Sequence, residues 1–252
     1  MNRLAVEKRA LILQCLTEGM SVRATSRLVG CSKNTTSKLL VDVGYATAQY
    51  QDQTLRNLPC RRVQADETWS FVYAKARNAP YAKNPEAGDV WTWIAICEDS
   101  KLVPTWWIGD RSYETGILFM EDLAERMAGP IQLTTDGLKS YPEVVDDAFA
   151  DWMVEHRILK QKYPTEQTAR TSYVERQNLT LRMNNRRYAR ATNAFSKKLE
   201  NHAHSMALYM MNYNFVRPHR TLGRGVTPAM AIGLADKPWT HTDIVRRLLD
   251  SN

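Results

Sequence analysis

The chain lacks any run of about 18 consecutive apolar residues, so no membrane-spanning helix is expected in its 252 residues. Its start, MNRLAVEKRALILQCL, sets Glu7 and Lys8 among the apolar positions and has no small-residue cleavage pattern. A secretory signal is therefore not indicated, and a cytoplasmic protein is expected. Cysteine is scarce: Cys15, Cys31, Cys60 and Cys97 are scattered with no close pair in sequence, which argues against a disulfide framework and against a zinc knuckle. Reduced thiols with packing roles are the expectation. What is present is an ordinary globular balance, 44% apolar and 24% charged, in a length suited to one large domain or to one sizeable core with a small accessory domain.

The net charge of +7 is unevenly spread: +4 over residues 1–50, +2 over 51–62, −9 over 63–154, +10 over 155–225 and zero beyond. An acidic middle between basic flanks suits a metal-dependent nucleic-acid enzyme, with cationic surface to hold phosphates and a carboxylate pocket that repels them until cations fill it. Solvated faces of opposite sign would give the same totals, so charge alone leaves both readings open.

The first fifty residues carry helical signals. Apolar positions from Val6 to Leu16 form one stripe that stops at Gly19; SVRATSRLVG predicts a second helix with Ser21 as N-cap and Gly30 as terminator; SKNTTSKLLVDVG predicts a third from Ser32, closed by Gly44. Three helices with a tight joint between the last two make a helix-turn-helix pattern. In that geometry the start of the third helix reaches base edges, which nominates Lys33, Asn34, Thr35, Thr36 and Lys38 as DNA-binding residues. Residues 45–62 read as a helical or extended connector ended by Pro59.

Three acids then stand out. VQADETWSFVY predicts a strand in which Asp66 and Glu67 point to opposite faces, and whichever faces inward needs an Arg, a hydrogen-bond donor or a metal ion as partner. DVWTWIAICEDS and LVPTWWIGD predict two antiparallel strands, SYETGILFMEDLAERM a helix, and IQLTTDGLKSYP a strand that ends at Asp136, just before Gly137, where α/β folds place ligands. A further strand is expected at DWMVEHRIL. After the basic stretch KQKYPTEQTART, a helix is expected over SYVERQNLTLRMNNRRYAR, with Glu175, Asn178 and Arg182 near one face and Arg176, Arg186, Arg187 and Arg190 on the others.

That order of elements, with acids on the first strand, the fourth strand and a later helix, resembles the ribonuclease-H-like fold of retroviral-type integrases and DDE transposases. TTDGLKSYP, YVERQNLTLR and YNFVRPHRTLGRGVTPAMA resemble, in order, the second-Asp, Glu and tail motifs of compact bacterial insertion-sequence transposases. The separation of 39 residues between Asp136 and Glu175 lies nearer the integrase spacing than that of the smallest elements with the Glu-Arg-x-Asn motif, and the chain lacks the cysteine zinc finger of some relatives. The resemblance implies an α/β chain: a helix-turn-helix domain over 1–45, a linker over 46–62, a ribonuclease-H-like catalytic domain of mixed sheet and flanking helices over 63–232, and a tail over 233–252.

It also implies a DNA transposase acting near the nucleoid, which binds double-stranded element ends and target DNA as a dimer or higher oligomer. Asp66, Asp136 and Glu175 would be catalytic and would hold two Mg²⁺ or Mn²⁺ ions, with Asp66 shared and Glu67 turned away towards a basic residue. Such an ion pair stabilises both the attacking and the leaving oxygen of an in-line displacement, and hard oxygen ligands suit those metals. Asn178, Arg182, Arg186 and Arg190 would hold DNA along the basic segment. A nuclease or resolvase that cuts without joining, and a DNA-binding regulator with an inactive core, are the alternatives. His202 and His204 have the wrong spacing for one helical face and read as structural or surface residues, His219 stands between phosphate contact and packing, and Trp91, Trp93, Trp106 and Trp107 read as sheet and core residues, with base stacking by one of them as the alternative.

Overall fold

The computed structural model describes residues 3–159 and 171–251; the basic stretch expected from Lys160 to Arg170 lies outside the described residues. The chain forms two compact units that interleave in sequence: Met1–Thr54, Ser70–Asp89 and Thr180–Asn252 make one, and Leu55–Trp69 with Val90–Leu179 the other. The breaks expected near 45, 62 and 232 do not coincide with these. Among the described residues no helix is long and apolar enough to cross a membrane.

The first unit is helical. α1 (Val6–Thr17) and α2 (Val22–Val29) lie where the apolar spacing put them. Ser21 caps α2 by accepting from the Ala24 amide at 3.2 Å, and Gly30, at φ 65°, ends it. Ser32 accepts from the Thr35 amide at 3.0 Å and starts α3, which runs over Lys33–Thr54. The expectation that Gly44 closes this helix is corrected. A Cβ at Gly44 would sit 2.4 Å from the His204 Cβ on α7 (Leu199–Met211), so the glycine marks where two helices cross, and YATAQYQDQT after it contains no helix breaker.

The residues expected as a tail belong to this unit. After α8 (Pro228–Ala231), Trp239 packs against Tyr50 of α3 and Phe215, with ring centroids 5.2 and 5.5 Å away. Ile244 and Val245, in and just after α9 (His241–Ile244), are fully buried. Asp250 accepts two hydrogen bonds from the Arg9 guanidinium of α1, at 2.8 and 2.7 Å. His202 is buried between the Ser70 and Ser196 hydroxyls at 3.0 Å each, the structural role its spacing suggested.

The second unit is built on a five-stranded sheet of order β3-β2-β1-β4-β5, from β1 (Arg62–Val72), β2 (Gly88–Cys97), β3 (Trp106–Gly109), β4 (Ile131–Thr135) and β5 (Val154–Ile158). β2 and β3 are antiparallel, while β1–β4 and β4–β5 are parallel, so the first and fourth strands lie side by side as in a ribonuclease-H-like core. β1 is central and buried almost without interruption, as a strand covered on both faces must be. α4 (Tyr113–Arg126) starts at Ser112, whose hydroxyl accepts from the Thr115 amide, and α5 (Tyr141–Ala148) follows β4. Trp93 is fully buried against Phe119 and Tyr141, and its indole nitrogen donates to the Asp110 carbonyl at 2.9 Å. Burying rings of this size stabilises the unit by about 1.5–3 kcal/mol each. Trp91, Trp106 and Trp107 are half-buried sheet residues. Two thiols far apart in sequence, Cys60 and Cys97, are both buried in this unit. α6 (Ser172–Asn184) carries Glu175 in its first turn.

Candidate active site

The pairing of β1 with β4 ends at Ala65 opposite Thr135, so the next residue of each chain segment, Asp66 and Asp136, leaves the ladder side by side. Carboxylate oxygens of Asp66, Glu67 and Asp136 lie within 4.8 Å of one another. Glu67 does have the basic partner expected of it, Arg111, whose Nη2 lies 3.1 Å from Oε2. It does not turn away from the aspartates, however. Strand alternation separates the two Cβ atoms, but β4 stops at Thr135, and beyond it nothing in that strand keeps the longer Glu67 side chain from the same end of the sheet. Its side chain is 1% exposed. Oε1 has no hydrogen-bond partner of normal geometry among the described residues, and neither has the buried Tyr141 hydroxyl in its field.

Like charges in a partly desolvated place resist ionisation. Burial, followed by the charge of Asp136, pushes the Asp66 carboxyl up to about 6. Burial, with Asp136 and Asp66 adding to it, pushes Glu67 up to about 7 against the pull of the nearby Tyr141 hydroxyl and, more weakly, of Arg111. Glu175 is exposed, stands outside the tight group of three, and is close enough for its charge also to raise Asp66. Its Oε1 accepts from the Thr171 hydroxyl at 2.6 Å.

α6 is tied to the strand that carries Asp66. The buried Gln64 side chain accepts from the Tyr173 and Val174 amides at 2.9 and 3.1 Å, two donors that a helix start leaves unpaired, and it donates to Glu98 at 2.8 Å. One turn after Glu175, Asn178 donates to Asp66 Oδ2 at 2.8 Å. Asn178, expected as a DNA-binding residue, is 4% exposed and is engaged here with the Asp66 carboxylate. Gln64 was legible in principle, since it lies two residues before Asp66 on the same strand face; nothing local singled out Thr171, Arg111 or Tyr141.

The expected DNA-binding residues are distributed differently. Lys33, Asn34 and Lys38 are exposed on α3, with Lys38 also paired to Asp42 at 2.7 Å, and Thr35 bonds back to Ser32. Thr36 is fully buried against Ser26 at 2.8 Å and joins α3 to α2, so it is unavailable to a base edge and is removed from that set. Arg182 is half-buried on α6. Arg186 and Arg190 are exposed but lie beyond α6, because Asn185 leaves helical geometry and its side chain accepts from the Arg187 amide to start the short 3-10 turn Arg186–Tyr188.

Among the described residues, three clustered carboxylates, one guanidinium, and an unpartnered buried Asn178 Oδ1 leave a surplus of hard oxygen donors and negative charge, a donor set that fits a small divalent cation. Residues 60–216, which contain every one of these acids, match the family described as IS1 transposase. The chain belongs to that family. The insertion element iso-IS1n protein InsB of Shigella dysenteriae is 30% identical over 152 residues, which cover 60% of this chain and 95% of that protein. A chain in the solved simian T-cell lymphotropic virus intasome, in complex with PP2A regulatory subunit B56 gamma, aligns at 16% identity and a TM-score of 0.45. That alignment covers 73% of this chain and 58% of the other, a likeness too loose to bear on function. Within the IS1 transposase match lie the sheet, α6 and α7, whereas α1–α3 precede it and α8 and α9 follow it.

Proposed function

We propose that this IS1-family transposase binds the ends of a mobile element and carries out metal-dependent phosphodiester cleavage and strand transfer at Asp66, Asp136 and Glu175. The observation that carries the reading is the parallel pairing of β1 with β4, which sets Asp66 beside Asp136 while Gln64 and Asn178 tie the helix of Glu175 to the same strand. Asp66, Asp136 and Glu175 would hold two Mg²⁺ or Mn²⁺ ions, which supply charge stabilisation for the entering and leaving oxygens and lower the pKa of the attacking hydroxyl or water. The chain's own groups do the positioning. Asn178 fixes the Asp66 carboxylate, Thr171 fixes that of Glu175, and Arg111 offsets part of the charge that Glu67 adds. Without cations the same acids repel a phosphodiester, which keeps the metal-free site inert.

Sequence recognition is assigned to the exposed residues at the start of α3, Lys33, Asn34 and Lys38, with Thr35 beside them, and backbone holding to Arg182, Arg186 and Arg190. Joining two element ends calls for a dimer or higher oligomer of the chain on DNA.

The test uses a labelled, pre-cleaved DNA end with a free 3′ hydroxyl and Mg²⁺. Asp66→Asn, Asp136→Asn and Glu175→Gln keep shape but remove charge. Each is expected to abolish cleavage and joining while leaving DNA binding close to wild type. Joining at the wild-type rate by any of the three removes that residue from the site, and wild-type cleavage without joining replaces transposition by a nuclease activity.

A further inference from the structure

The helical unit contains a groove of about 1030 Å³, formed by the starts of α2 and α3, by the segment after α6, and by α7. Five cations line it: Arg23, Lys33, Arg186, Arg187 and Lys197. Among the described residues no carboxylate lines it, and none forms an ion pair with any of the five. The positive ends of two helices, at Val22 and Lys33, open on the same space. One wall is braced: Asn185 accepts from the Arg187 amide and from Ser205, and donates back to the Ser205 carbonyl. Arg187 is half-buried, and its guanidinium donates to the Ser196 hydroxyl at 2.7 Å. Its charge, after burial, helps to hold His202 neutral, with a pKa lowered to about 3. Five like charges sharing one groove repel each other and lower the stability of the unit, unless an anion occupies it.

We propose that this groove seats the phosphodiester backbone of a nucleic-acid strand. Arg187, Arg23 and Lys197 would be phosphate ligands alongside Arg186, with Lys33 at the same groove left to base edges. The inference rests on the transposase reading and extends it. The start of the recognition helix and the segment after the Glu175 helix then hold one continuous strand, rather than acting as separate contacts. A nucleic-acid backbone suits the site because its phosphates repeat along a line, matching cations spread along a groove better than a single small anion would.

The experiment measures binding of full-length protein to a labelled random-sequence duplex of about 30 base pairs and to a single strand of the same length, across a range of salt. Each phosphate contact adds about −0.9 to the slope of log K against log salt. Arg187→Gln is expected to reduce the steepness of that slope by about one unit, and the double variant Arg23→Gln/Lys197→Gln by about two. The double variant alters only exposed side chains, so it carries the test even if Arg187→Gln fails to fold. Arg77→Gln, exposed and outside the groove, removes one charge as a control and should leave the slope unchanged. Loss on the duplex, on the single strand or on both supports the seat and says which form it takes. Folded double variants with the wild-type slope, or a control that loses as much per charge removed, overturn the groove while leaving the transposase reading intact. Wild-type protein that binds neither probe overturns the transposase reading, and the groove with it.

Discussion

Asp66 and Glu67 take protons more readily in the folded protein than in the unfolded chain, because burial and neighbouring acids raise both. Between the ordinary carboxylate range and about 7 these two groups therefore bind more protons in the native state, so their contribution to stability falls as pH rises through that window. Buried His202 and His241, held neutral with pKa values lowered to about 3 and about 4, pull the other way, so the test is the difference in melting temperature in chelator between wild type and Glu67→Gln, which is expected to shift in favour of the variant from pH 4 towards pH 7. Mg²⁺ or Mn²⁺ should restore stability most at the upper end, where the acids are ionised and free to bind it. A difference between the two metal-free proteins that stays constant over this range would mean that the three carboxylates are not strained by one another. Residue types were the legible part of the site. Asp66, Asp136 and Glu175 could be chosen from their motifs, whereas the closeness of Glu67 to the aspartates depends on where β4 stops, which no residue near Glu67 encodes.

Gly44 shows how an element can be misread from a correct local signal. Glycine lowers helix propensity by about 1 kcal/mol, so Gly44→Ala in an isolated α3 would favour the helix. In the folded unit the added methyl would meet the His204 Cβ at 2.4 Å and its Cα at 2.6 Å, and a backbone atom cannot rotate aside. Overpacking of this kind costs about 1–3 kcal/mol, so the clash should win. Urea unfolding should show Gly44→Ala destabilised, and His204→Ala, which removes only the Cγ contact at 2.8 Å and keeps the Cβ, should recover little of the loss. A stabilised single variant would mean the helices do not approach so closely. The neighbouring signals did hold: Ser21, Ser32 and Ser112 start helices with their own hydroxyls, and Gly30 ends one with a positive φ. Cap chemistry acts within one helical turn and so is readable locally, whereas a crossing point is a property of two helices about 160 residues apart.

At the scale of the whole molecule, the last twenty residues looked like a tail and instead supply core to the helical unit. Trp239 is 7% exposed among Tyr50, Phe215 and the Arg247 guanidinium. Its replacement by alanine should cost about 3–5 kcal/mol in denaturant unfolding. Trp152→Ala, at a site 72% exposed, should change stability by less than about 0.5 kcal/mol. Equal effects at the two positions would contradict the packing of the chain's end. The sequence by itself determined the α/β class, the order of strands and helices, the acids and the transposase resemblance, because period, caps and motifs are short-range patterns. Only the tertiary structure decided that residues 180–251 complete the helical unit, that Thr36 is buried and Asn178 serves Asp66, and that Gln64 ties the helix of Glu175 to the strand of Asp66. Each of these depends on which distant segments meet, and burial and partner choice are set by that meeting rather than by the residue's own neighbours in the chain.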